Sequence, residues 1–100
     1  MVKHVILWKL KESITGEEKE KVLSDMKVNL EALVGKVPGL TRLEIVTAPL
    51  ASSNADVMLD SDLESEDALK GYQSHPDHVA VANTYVRPYT EVRLCMDYEV

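Results

Sequence analysis

The chain of 100 residues has no phenylalanine, one tryptophan, one cysteine, four glycines and four prolines. A single cysteine, Cys95, excludes an internal disulfide and any multi-cysteine zinc site. There is no glycine-rich run to cradle a phosphate, so no nucleotide cofactor is expected, and no other cofactor is read from the residues. Basic runs are absent too. Eleven Lys and Arg against 17 Asp and Glu leave a net charge of −6. Nucleic acid and anionic membrane surfaces both select a positive footprint, so neither is expected as a partner. The longest apolar runs are a few residues, too short to span a bilayer. Met1-Val2-Lys3-His4 leads directly into a strand pattern with no apolar leader before it. These absences together give the expectation of a cytoplasmic protein.

The chain does have alternation. From residue 2 to 10, Val2, His4, Ile6, Trp8 and Leu10 share one face. Lys3, Val5, Leu7 and Lys9 share the other. A period of two over this length is a strand, and large apolar groups on both faces mean that both are covered. Thr15-Gly16-Glu17-Glu18 reads as a capping box, with Thr15 as N-cap. Val22, Leu23, Met26, Leu30, Leu33, Val34 and Val37 then form a stripe of helical period, which Pro38-Gly39 ends. Leu40 to Thr47 and Asp56 to Leu63 alternate as two further strands, with Val57, Leu59, Ser61 and Leu63 on one side of the second. Ser65 caps a short helix carrying Leu69 and Tyr72, and Glu91 to Glu99 is the last strand.

The order is β-α-β-β-α-β in a single domain, residues 1–100. It predicts an α+β, ferredoxin-like sandwich: a four-stranded antiparallel sheet with helices on one face. Helices cover only that face, so Val5, Leu7 and Met58 on the other need a partner. A second copy of the chain, joined sheet to sheet, is the expected one. Asp60 and Asp62 lie two apart on the same outer face. They read as part of an ion-pair network at that interface, with Lys3, Lys9 and Arg93 on strands that can reach it.

The densest chemistry lies in Gly71-Tyr72-Gln73-Ser74-His75-Pro76-Asp77-His78-Val79. Pro76 breaks one helix and opens the next, which makes His75 a cap and puts His78 in the first turn. Imidazole and phenol are the groups that move protons near neutral pH. The His75-x-x-His78 spacing has the form of a metal pair, but the cap position turns His75 away, and no metal site is expected.

This element, the opening Val2 to Lys11, the segment Ser65 to Tyr72 and the closing Asp97-Tyr98 resemble the stress-responsive A/B barrel domain family of dimeric α/β-barrel proteins. The resemblance runs over nearly the whole chain. It implies a homodimer made by pairing sheet faces. One plant member is a polyketide cyclase whose acid–base histidine and tyrosine match His78 and Tyr72, and whose first-strand histidine matches His4. Its third-strand histidine falls at Val57, and the aromatics of its first helix fall on aliphatics such as Val22, Leu23 and Met26.

Two readings of these residues stand side by side. In one, Tyr72 and His78 are a catalytic pair acting on a small carbonyl compound. His4, Ile6, Trp8, Leu59 and His75 then line a small apolar pocket between sheet and helices. In the other the pair is structural, with His78 hydrogen-bonded to a buried Tyr72 phenol, His75 only a cap and His4 a satisfied core group. The protein is then a binding or stress-protective dimer. Cys95 reads as a small buried hydrophobe.

Overall fold

The structure, a computed structural model, describes residues 1–100. Four strands form one antiparallel sheet in the order β2-β3-β1-β4. They are β1 (Val2–Leu10), β2 (Leu40–Val46), β3 (Val57–Leu63) and β4 (Thr90–Glu99). Helix α1 (Gly16–Glu31) connects β1 to β2. Helices α2 (Glu66–Ser74) and α3 (Pro76–Val81) and a π-helical turn, Ala82–Val86, connect β3 to β4. This is the ferredoxin-like sandwich expected from the alternation.

The core lies between the sheet and the helices. Ile6 and Trp8 of β1, Ile45 of β2 and Leu59 and Leu63 of β3 face Met26 and Leu30 of α1 and Leu69 and Tyr72 of α2. The alternation on β2 slips once. Leu40, Leu43 and Ile45 are all buried, which strict period two forbids. A register shift between Leu40 and Arg42 absorbs the extra residue.

Three local expectations need correcting. Thr15 stands at the N-cap of α1 with extended backbone, but its side chain caps nothing. Gly16 follows it at φ 57°, outside the helical region that a capping box requires. Helix α1 also stops at Glu31, so Val34 is exposed in the turns that follow rather than part of the stripe. Cys95 is exposed, not buried, because β4 is an edge strand that the helices do not reach over. Ser65, by contrast, accepts from the Ala68 amide at 3.1 Å. Gly39 is at φ 82° where β2 meets α2, and a Cβ there would stand 2.5 Å from that of Ala68.

The other sheet face is open. Leu7, Val92, Leu94, Met96 and Tyr98 are all exposed, Met96 at 68%. At one end of that face Lys3 meets Asp62 at 2.9 Å and Asp60 at 3.4 Å. Arg42 completes the network, at 2.8 Å from Asp60 and 3.0 Å from Asp62. Both carboxyls are held below the usual range, first by their hydrogen bonds to Arg42. Arg93 is not a member. Register pairs it with Trp8, which puts it on the helix side of the sheet.

Candidate functional site

The break between α2 and α3 is built from local chemistry. His75 has ψ 133°, the extended value forced on a residue before proline, and Pro76 begins α3. The His75 Nδ1 accepts from the Asp77 amide at 3.1 Å. That cap takes up the side chain, so His75 points neither into a cavity nor toward a metal shared with His78.

The break brings Tyr72 and His78 together. Their ring centroids are 4.3 Å apart with planes tilted by 42°. Tyr72 is 1% exposed, and its hydroxyl has no hydrogen-bond partner. Burial holds the phenol well above its ordinary range, with a smaller opposing pull from Arg93. His78 is half-buried, and its Nδ1 lies 3.3 Å from the Gln73 carbonyl. A carbonyl only accepts, so Nδ1 carries the hydrogen and Nε2 presents a lone pair. Burial lowers the His78 imidazole below its usual 6.5, against the Gln73 carbonyl and with help from His4, Arg87 and Arg93. At neutral pH the pair is therefore a neutral base beside a protonated phenol.

Both rings border a cavity of about 390 Å³ between the sheet and the α3 side of the helix layer. That volume is in the range of small-molecule sites, roughly 300–1,000 Å³. Of the pocket residues named from sequence, Ile6, Trp8 and Leu59 line it. His4 and His75 do not. The Tyr72 and His4 rings meet edge to face, with centroids 5.9 Å apart, and His4 is 1% exposed beneath Tyr72. Among the lining residues that the sequence reading did not assign to the pocket are two cations, Arg87 and Arg93. The signal for Arg93 was its parity on β4, which it shares with Cys95 and Asp97. Arg87 ends a π-helical turn whose Ala82 and Val86 also face the cavity, with its amide donating to Ala82 O at 2.8 Å. π-Helical turns recur at functional sites.

A second cluster lies next to the pair. His4 Nδ1 is hydrogen-bonded to an Asp97 carboxylate oxygen. Cys95 Sγ is 3.7 Å from His4 Nδ1 and 3.5 Å from Asp97 Oδ1. Burial first, and Asp97 next, push the Cys95 thiol up.

The stress responsive A/B barrel domain model matches residues 2–100. Among solved structures, a dimeric protein of unknown function and ferredoxin-like fold from Bacteroides fragilis is 32% identical, with a TM-score of 0.92. The match covers 99% of this chain and 95% of that one. A dimeric ferredoxin-like protein of unknown function from Thermobifida fusca is 25% identical over 99% of this chain and 90% of that one, at a TM-score of 0.78. The hydroxynitrile lyase of Passiflora edulis has the same TM-score at 14% identity, over 97% and 90% of the two chains, and shares the fold. No curated protein matches. A match over all but the first residue, on a sheet and helix layer of this order, means that the chain belongs to the stress responsive A/B barrel domain family.

Proposed function

We propose that the protein is a homodimer whose cavity binds a small carbonyl compound, with Tyr72 as acid and His78 as base. One observation carries the reading: a buried Tyr72 hydroxyl has no partner, on a side chain that lines a cavity beside a neutral imidazole. A structural pair requires His78 to satisfy that hydroxyl, and no such bond is present. An unpaired buried donor is a cost to the free protein that a bound carbonyl oxygen removes.

The chemistry follows from the two protonation states. His78 Nε2 takes a proton from carbon next to the carbonyl, or from a substrate hydroxyl. As charge moves onto the carbonyl oxygen, the Tyr72 hydroxyl donates to it. Return of the proton from His78 to carbon or to a leaving group restores the enzyme. Arg93 has no ion pair within the chain and lines the same cavity, so it can receive an anionic end of the substrate. The apolar floor of Ile6, Trp8 and Leu59 holds the rest.

The homodimer rests on the open face. An exposed apolar stripe of Leu7, Val92, Leu94, Met96 and Tyr98 lies on it, and closing two such faces together would cover it. The dimeric state of the Bacteroides fragilis and Thermobifida fusca proteins supports the same arrangement.

The test is deuterium exchange next to the carbonyl, followed by NMR in deuterated buffer with a panel of small keto acids and aldehydes. The protein should accelerate exchange in at least one. His78→Ala should abolish the acceleration with the fold intact, and Tyr72→Phe should lower it by roughly 10²–10⁴. Equal rates in wild type and His78→Ala would defeat the catalytic reading. Binding rests on the cavity alone and would then be measured by ligand-induced thermal shift.

A further inference from the structure

We propose that His4, Cys95 and Asp97 form a binding site for a single zinc ion. The nitrogen, sulfur and oxygen atoms of this set all lie within 4.8 Å of one another. Sheet register brings them together. Asp97 stands directly opposite His4 across the β1–β4 pair, and Cys95, opposite Ile6, is two residues before Asp97 on the same face.

The spacing fits a tetrahedral ion. With bonds of about 2.3 Å to sulfur and 2.0–2.1 Å to nitrogen or oxygen, neighbouring ligand atoms stand about 3.5 Å apart. The sulfur lies 3.7 Å from the His4 nitrogen and 3.5 Å from the Asp97 oxygen. The third edge, between His4 and Asp97, is closed to a hydrogen bond. Coordination takes the place of that bond, and an exposed carboxylate on an edge strand is free to swing outward to accept it.

One ligand is fixed and two are adaptable. His4 is buried in the core, with its ring in edge-to-face contact with Tyr72 and its own carbonyl accepting from Ser61 Oγ at 2.8 Å. Cys95 and Asp97 are exposed, so the fourth position opens to solvent and takes a water. Three protein ligands and one open position are the form of a zinc site that exchanges its fourth ligand. A mixed imidazole, thiolate and carboxylate set selects zinc and its neighbours over magnesium and calcium, which take oxygen. The site is separate from the acid–base cavity, since none of the three residues lines it.

The test uses tag-free, chelator-treated protein. Calorimetric titration with Zn²⁺ should show one ion per chain. Co²⁺ should give the d–d bands of a tetrahedral ion together with a thiolate charge-transfer band. Loss of an outer-shell partner costs about 10–100-fold in affinity, so Cys95→Ser and Asp97→Asn should each cost more than about 100-fold. Both positions are exposed, Asp97→Asn keeps an oxygen that can accept from the buried His4 Nδ1, and circular dichroism checks the fold. Cys95→Ser should also remove the charge-transfer band, and His75→Ala should change nothing. Absence of stoichiometric zinc binding, full affinity in Cys95→Ser and Asp97→Asn, loss in His75→Ala, or displacement by millimolar Mg²⁺ would each overturn the proposal.

Discussion

Tyr72→Phe should make the protein more stable and less active at once. The substitution keeps the ring, its contact with His78 and its edge-to-face contact with His4, and removes only the hydroxyl. That hydroxyl is buried without a partner. Leaving such a group unpaired costs roughly 1–3 kcal/mol in proteins. Taking the lower end, the substitution should add about 1 kcal/mol of stability. For a domain of this size that raises Tm by about 4–8 °C. Thermal unfolding followed by circular dichroism measures it, and urea unfolding with an unchanged slope confirms that stability alone has moved. The reasoning fails if the variant is destabilised by more than about 0.5 kcal/mol. The hydroxyl would then have a structural partner in the free protein, and no donor would be left over for a substrate. Stability held back at a working site is a common trade in enzymes.

Protonation of His78 should set the acid side of the pH profile. Its imidazole is held below 6.5, so the base is present above that lowered value and is lost as pH falls through it. The midpoint of the acid-side fall in activity should therefore lie below pH 6.5, and a midpoint above that pH would refute the assignment. The same group binds fewer protons folded than unfolded between its lowered value and 6.5. Stability should rise with pH across that window, as read from urea midpoints in wild type against His78→Ala. Asp60 and Asp62 act in a separate window: their carboxyls are lowered from 3.8, so their contribution is lost only in stronger acid. Leu7→Asp should dissociate or unfold the dimer, since a charge would be left unpaired in the joined sheets. Light scattering should give twice the chain mass of 11.2 kDa for wild type, and a monomer at micromolar concentration would refute the sheet-to-sheet assembly. Ser65→Ala should cost about 1 kcal/mol and Thr15→Ala much less, because only Ser65 caps through its side chain.

What the sequence determined by itself was whatever depends on neighbours in the chain. Period-two runs became four strands and helical stripes became helices, because side-chain direction repeats with the backbone. The break at Pro76 followed from a ring that has no amide hydrogen, and it set Tyr72 and His78 on either side of one bend. What only the tertiary structure decided was which distant residues meet. Arg93 joined the cavity rather than the outer ion pairs, and Arg42 took its place there, because strand register assigns each side chain a face and is set by packing across the sheet. His4 passed beneath Tyr72 instead of lining the pocket. It met Cys95 and Asp97 from 91 and 93 residues away, a distance no local pattern spans, because contact between β1 and β4 exists only once the sheet has closed.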